Sequence, residues 1–174
     1  MRIIYGYSIK VSAVSSYEDW IIEPDRVEEF AGTMANEKIV FTNGCYDLIH
    51  RGHVKLLNTA RSFGDYLVVG INSDDSVERL KGAGRPLFSA EDRAFVLLNL
   101  RAVDYITVFG EDTPEKLIRR LKPDVLVKGD EYALSEIVGA EFQISRGAAV
   151  KRVPMVEGYS TSSIIDKILK MERG

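Results

Sequence analysis

The sequence predicts an α/β domain built on a doubly wound, five-stranded parallel sheet with helices on both faces. Three observations carry this expectation. Five short runs rich in Val, Ile and aromatic residues recur along the chain, and segments with helical spacing lie between them. The runs are nearly continuous in apolar residues, as strands covered on both faces require. Sheets of this kind bind ligands beyond the carboxyl ends of their strands, where strand order reverses. The informative loops are therefore those after Thr42, Ile71, Phe109, Val127 and Val153.

The elements follow in order. Residues 1–36 read as an N-terminal extension, with a helix at 25–35 and a first part, 1–22, that suits a strand, an arm or a partner contact. The domain proper, 37–174, opens with a strand at 38–42. A helix follows Gly52, with Val54, Leu57 and Ala60 on one face. Residues 66–71 form the second strand. Ser89, three residues before Asp92, is a capping signal for a helix from 89 or 90 to 100. After the third strand, 105–109, Thr113-Pro114 opens a helix with Thr113 as its cap, and Lys122-Pro123 closes it. Strands at 125–127 and 150–153 and a helix at 162–171 complete the chain.

Composition narrows the function. The 174 residues suit one domain, and 45% hydrophobic with 28% charged residues describes a globular protein. One Cys and two His exclude a disulfide framework and a Cys-rich zinc site. A net charge of −3 supplies no general field for a nucleic-acid backbone. No apolar run approaches the ~18 residues that cross a bilayer, and Gly6, Ser8 and Lys10 interrupt the start, so it does not read as a secretory signal. The expectation is a cytoplasmic protein with no nucleic-acid partner and no membrane insertion.

The chemistry is concentrated after the first strand, in Thr42-Asn43-Gly44-Cys45-Tyr46-Asp47-Leu48-Ile49-His50-Arg51-Gly52-His53. Both histidines fall within one H-x-G-H tetrapeptide at the mouth of a helix. Gly44 permits a tight turn or close approach, and Gly52 keeps bulk away from the helix mouth. Backbone N–H groups and the positive end of the helix dipole attract phosphate oxygens there. His50 and His53 could donate to the same anion. A zinc reading would need Cys45 or Asp47 to complete the ligand set, so no metal site is assigned. Cys45 itself reads as a small packed residue.

These residues resemble the nucleotidyltransferase superfamily, and the longer match, over about 37–168, is to the adenylyltransferase domain of bacterial ADP-heptose synthase. The resemblance is carried by Val40-Phe41-Thr42-Asn43-Gly44-Cys45, His50 to His53, Val69-Gly70-Ile71-Asn72-Ser73-Asp74, Ser76-Val77-Glu78-Arg79-Leu80-Lys81-Gly82 and Arg85-Pro86. Asp92-Arg93, Ala102-Val103-Asp104-Tyr105, Glu111-Asp112-Thr113-Pro114, 124–129 and Gly158-Tyr159-Ser160-Thr161-Ser162 extend it. It implies a Rossmann-like fold and transfer of AMP from ATP to D-glycero-D-manno-heptose 1-phosphate, giving ADP-heptose and pyrophosphate for lipopolysaccharide core synthesis.

With the resemblance as guide, His50 and His53 are assigned to the α- and β-phosphates, and Lys81, in a Gly-rich mobile loop, to the developing charge. Thr42, Asn43, Gly44 and Tyr46 line the floor of the nucleotide site, with Gly52 at the helix mouth. Lys128 and Gly129 lie near the base, and Ser160, Thr161 and Ser162 near the β- and γ-phosphates. Asp47, Asn72 and Asp74 face the acceptor, with Arg85 and Arg93 as phosphate contacts. Mg²⁺ accompanies ATP. The resemblance further implies a homodimer. Because 174 residues hold no second domain, a separate sugar kinase is expected to supply the sugar 1-phosphate.

Two alternatives remain. A CTP-dependent cytidylyltransferase acting on glycerol 3-phosphate or phosphoethanolamine resembles this chain in Arg101 and in Lys128-Gly129-Asp130-Glu131-Tyr132. That branch, however, carries an Arg where Met155 stands here. The third reading is a noncatalytic nucleotide-binding module.

Overall fold

The structure, a computed structural model, describes residues 17–156 and 158–171; the open assignment of residues 1–22 lies outside them except at its end. Five parallel strands, β1 (Ile39–Gly44), β2 (Tyr66–Asn72), β3 (Tyr105–Phe109), β4 (Val125–Gly129) and β5 (Ala149–Val153), form one sheet in the order β3-β2-β1-β4-β5. The order reverses between β1 and β4, which places the topological switch at the ends of those two strands. All five strands match the runs expected from sequence, with β1 and β4 each two residues longer at the carboxyl end.

Alternate side chains along the strands enter two cores. On one face, Val40, Leu67, Val69 and Val125 pack against Leu57 and Ala60 of α2 (Arg51–Arg61) and Leu97 of α4 (Ala90–Leu98). On the other, Ile39, Phe41, Val68 and Leu126 pack against Val27 of α1 (Val27–Thr33), Leu117 and Ile118 of α5 (Glu115–Leu121), and Ala140 of α6 (Ala140–Ser145). Each fully buried aliphatic side chain contributes about 2 kcal/mol by leaving water. Gly70 has no room for a side chain: a Cβ there would lie 2.8 Å from the Phe41 ring and 3.2 Å from Leu117. Ile21 pairs in parallel with Ile106 on the outer strand β3, and Ile22 is buried in the second core. The end of the N-terminal extension therefore packs on the sheet.

Several expectations about helices change. A helix not foreseen, α3 (Asp74–Lys81), follows β2; Ser73 caps it by accepting from the Ser76 N–H, and Gly82 ends it with φ 93°. Lys81 is thus the last residue of a helix, not part of a loop. Helix α5 has Pro114 as its N-cap with no side-chain cap bond, so Thr113 does not cap it. Helix α6 and a 3-10 turn at Leu134–Glu136 were also not anticipated. The final helix, α7 (Thr161–Met171), begins one residue early.

Candidate active site

A cleft of about 540 Å³ opens at the switch point. Thr42, Asn43 and Gly44 from the end of β1 and Lys128 and Gly129 from the end of β4 form its floor. One wall is the mouth of α2 with the β5–α7 connection, bringing His50, His53, Met155 and Tyr159 together with Ser160, Thr161 and Ser162. The other wall carries Asp112, Thr113, Glu131, Tyr132 and Glu136, while Lys81 and Arg85 enter from the segment after β2.

The histidines are held in a defined state. His50 is the N-cap of α2, with extended backbone, and its Nδ1 accepts from the Gly52 N–H at 3.1 Å. That bond leaves the ring hydrogen on Nε2. A Cβ at residue 52 would lie 3.0 Å from the His50 ring and 3.7 Å from the Tyr159 carbonyl oxygen, so a side chain there would press on the capping ring. The Gly52 N–H is consequently engaged by His50 and is not offered to a phosphate. The His50 and His53 rings stack at 3.8 Å and 21°, and Tyr46 lies 5.0 Å from His53. Burial, and then the charge of His50, push His53 down to about 4. Its Nδ1 lacks a hydrogen bond of good geometry, although the nearby Leu48 backbone slightly favours protonation. Burial also lowers His50. At pH 7 the pair is neutral, and its rings can offer N–H donors.

The floor is similarly constrained. Lys128 donates to the Asn43 carbonyl at 3.1 Å and faces the Tyr132 ring at 5.9 Å. Burial pushes its amine down to about 8 against the opposing pull of Glu131. A Cβ on Gly129 would collide with the Glu131 carboxylate. Asn43 Oδ1 is buried without a partner. At the mouth of α7, Ser163 N–H donates to Ser160 Oγ and Ser160 N–H donates to Ser163 Oγ, both at 3.0 Å. Ser160 therefore caps that helix while lining the cleft beside Thr161 and Ser162.

Several expected contacts are placed differently. Arg93 is buried, and its guanidinium bonds to the Phe88 and Cys45 carbonyls and to Asp74. It cannot reach a phosphate, and Asp74, occupied by Arg93, does not line the cleft. Asp47 and Arg85 do line it, but the buried Asp47 carboxylate accepts from Arg85 Nε at 2.6 Å and from the backbone N–H groups of Leu87 and Phe88. Asp47 is a brace rather than an acceptor ligand. Asn72 faces the cleft while its amide donates to Ser76 Oγ at 3.0 Å. Tyr46 is only 4% exposed, with its ring over Gly44; burial raises its phenol. Among the lining residues that sequence reasoning did not assign, Asp112, Thr113, Glu131, Tyr132 and Tyr159 follow the ends of β3, β4 and β5. The strand-end rule pointed to those loops without singling the residues out.

A family model described as cytidylyltransferase-like matches residues 41–167, which span the strands, the histidine pair and the serine cap. The chain belongs to the cytidylyltransferase-like family. Bifunctional protein HldE of Helicobacter pylori (strain P12) is 53% identical over 142 residues, covering 82% of this chain and 30% of that protein. The HldE of Geobacter sulfurreducens is 54% identical over 149 residues, 83% of this chain and again 30% of the relative. The chain thus spans about three tenths of the length of these curated relatives. Among solved structures, a lipopolysaccharide core biosynthesis protein from Thermoplasma volcanium is 28% identical with a TM-score of 0.55, covering 71% of this chain and 99% of that one. Pantothenate synthetase from Thermus thermophilus, 16% identical with a TM-score of 0.56 over 78% of this chain and 62% of that one, shares the fold. Among the described residues, no helix is long and apolar enough to cross a membrane.

Proposed function

We propose that this chain is a sugar-phosphate nucleotidyltransferase that moves AMP from ATP to D-glycero-D-manno-heptose 1-phosphate, releasing pyrophosphate and giving ADP-heptose for lipopolysaccharide core synthesis. The observation that carries the reaction type is the stacked, neutral His50–His53 pair at the mouth of α2, facing a cleft at the switch point. The acceptor is supported by 53% identity to HldE and by the motif resemblance.

An ionised oxygen of the sugar phosphate attacks the α-phosphorus, the bond from that phosphorus to the bridging oxygen breaks, and its electron pair leaves with pyrophosphate. No proton need move, so the protein's work is orientation and charge stabilisation. His50 donates through Nε2, and His53 through its own ring N–H, to phosphate oxygens. The Lys81 ammonium meets the charge at the reacting phosphate. Thr161 and Ser162 hold the outer phosphates. Mg²⁺ would accompany ATP; among the described residues no three His, Cys, Asp or Glu side chains cluster as a metal site. The ion would be held chiefly through phosphate and water, and the unpartnered Asn43 Oδ1 would be the protein's neutral oxygen for it. When bound it neutralises phosphate charge.

The cytidylyl alternative loses support from Met155, which lines the cleft where that branch carries an arginine, and from Arg101, which is exposed and outside the lining. A sugar kinase supplies the 1-phosphate. The exposed Ile168, Leu169 and Met171 of α7 support a homodimer, which sedimentation velocity tests. Pyrophosphate release is measured with ATP or CTP against heptose 1-phosphate, glycerol 3-phosphate and phosphoethanolamine. Turnover with CTP and glycerol 3-phosphate alone rejects the assignment, and no turnover with any pair favours a binding module. His53→Ala lowers turnover at least ~10-fold in a folded protein; wild-type activity rejects the phosphate role.

A further inference from the structure

Lys81 lies on a segment pinned to the β1–α2 loop at both ends. At one end, Arg93 of α4, 2% exposed, sends Nη1 to the Cys45 carbonyl at 2.7 Å, Nε to the Phe88 carbonyl at 3.0 Å and Nη2 to the Asp74 carboxylate at 2.7 Å. Asp74 is the first residue of α3 and Lys81 the last. At the other end, the buried Asp47 carboxylate holds Arg85 and the backbone N–H groups of Leu87 and Phe88. Cys45 and Asp47 are two residues apart in the loop that leads to His50.

Between the pins, α3 is a rigid rod of roughly 12 Å, and Gly82 and Gly84 have φ of 93° and 81° with open space around them. Only Ser76 and Val77 of α3 are buried, so packing does little to fix its direction. Ser76 and Arg79 tie its flank to the β3–α5 loop through Glu111, Gly110 and Asp112. The bond to Arg93 ties its amino end to the floor of the cleft.

We propose that Arg93, acting through Asp74, is a positioning residue that aims helix α3 so that Lys81 reaches the phosphate above the histidine pair. This rests on the reading of Lys81 as the cation at the reacting phosphate. A buried guanidinium with every arm engaged has no reach to substrate, yet each arm ends on a part of the cleft's frame. The chain's single cysteine is an internal reporter. Cys45 is half-buried at the cleft; burial raises its thiol pKa, and Lys81 is the largest of the charges that pull it back, ahead of Arg93 and Arg85.

The test is Asp74→Asn, which removes the charge that holds Arg93 Nη2 and so loosens α3 while leaving Arg93 on its two carbonyls, with Asp75→Asn as a control one residue along the same turn. In Asp74→Asn, kcat is expected to fall roughly 10- to 100-fold, the range that a displacement of about 1 Å produces, while the KM for ATP changes less than ~2-fold because the histidine and serine contacts are untouched. The pH dependence of Cys45 alkylation by iodoacetamide is expected to move to higher pH. Direct loss of a carboxylate would move it lower, so the direction separates retreat of Lys81 from a simple charge effect. Lys81→Met raises the thiol pKa in the wild-type background and adds little in Asp74→Asn. Asp75→Asn changes neither readout. An unchanged or lowered thiol pKa in Asp74→Asn, or the same kcat loss in both Asn variants, overturns the proposal. The alkylation arm needs no turnover, so it decides the clamp even where the wild-type protein transfers nothing and the functional reading itself fails.

Discussion

His53→Asn should change how stability responds to acid. In the folded protein burial and the neighbouring His50 hold the ring near pKa 4, against an ordinary 6.5. Between those values the unfolded chain binds more protons than the folded one, so stability rises with pH across the window and is lost as pH falls from about 6.5 towards 4. At pH 5 the ring is roughly 97% protonated when unfolded and roughly 9% when folded. Relative to pH 7 this destabilises the fold by about 2 kcal/mol, and by about 3 kcal/mol once the window is crossed.

With a urea dependence near ~2 kcal/mol/M, the unfolding midpoint attributable to this ring falls by about 1 M between pH 7 and pH 5. Paired urea titrations of wild type and His53→Asn at the two pH values isolate the contribution, because the carboxylates titrate in both proteins. The wild type should lose about 2 kcal/mol more than the variant. Parallel losses would mean that His53 is not a buried neutral ring, and the case for N–H donation at pH 7 would fall with it.

Other consequences are equally direct. Gly70→Ala drives a methyl into Phe41 and Leu117 and should destabilise by about 1–3 kcal/mol in thermal unfolding, with Phe41→Leu in the same chain recovering part of the loss. ATP affinity measured by calorimetry should weaken as pH rises through about 8, where Lys128 loses its charge, and Lys128→Met should bind more weakly with no such step. Asp47→Asn leaves Arg85 without a charged partner and should cost roughly 3 kcal/mol in urea unfolding.

The strands and the histidine pair were legible because their signals are local. An apolar run bounded by turn residues has few alternatives, and residues 50 and 53 at a helix mouth share one surface whatever the rest of the chain does. Helix α3 was missed because Val77 and Leu80 are its only large apolar residues, too few for a periodic stripe. Its signal lay in the ends: Ser73 as cap, Asp74 and Asp75 in the first turn, Lys81 in the last and Gly82 beyond. Arg93 shows where residue type misleads. It stands four residues before Leu97, on the stripe of α4 that includes Ala94 and faces the core, while Phe95 and Val96 point outward at 51% and 46% exposure. Spacing would have placed it inside; the habit of reading Arg as a phosphate ligand placed it in the cleft.

The state of the cleft's own acids and bases bears on the acceptor. Of the carboxylates lining it, Asp47 is saturated by Arg85 and two N–H groups, Asp112 pairs with Arg79, Glu136 accepts from the Ala133 N–H, and Glu131 lies over Gly129 within the field of Lys128. His50 uses Nδ1 on Gly52 and so presents Nε2–H as a donor. A hydroxyl nucleophile would have to surrender a proton to a base poised near neutral pH; Asp47, Asp112, Glu136 and His50 Nδ1 are already engaged, and His53, held near 4, is too weak a base at its unpartnered Nδ1. A phosphate acceptor brings an oxygen that is ionised before it arrives and needs donors and a cation instead. Those are what the proposed roles of His50, His53 and Lys81 would supply, and this match favours transfer to a sugar phosphate over transfer to a free sugar alcohol.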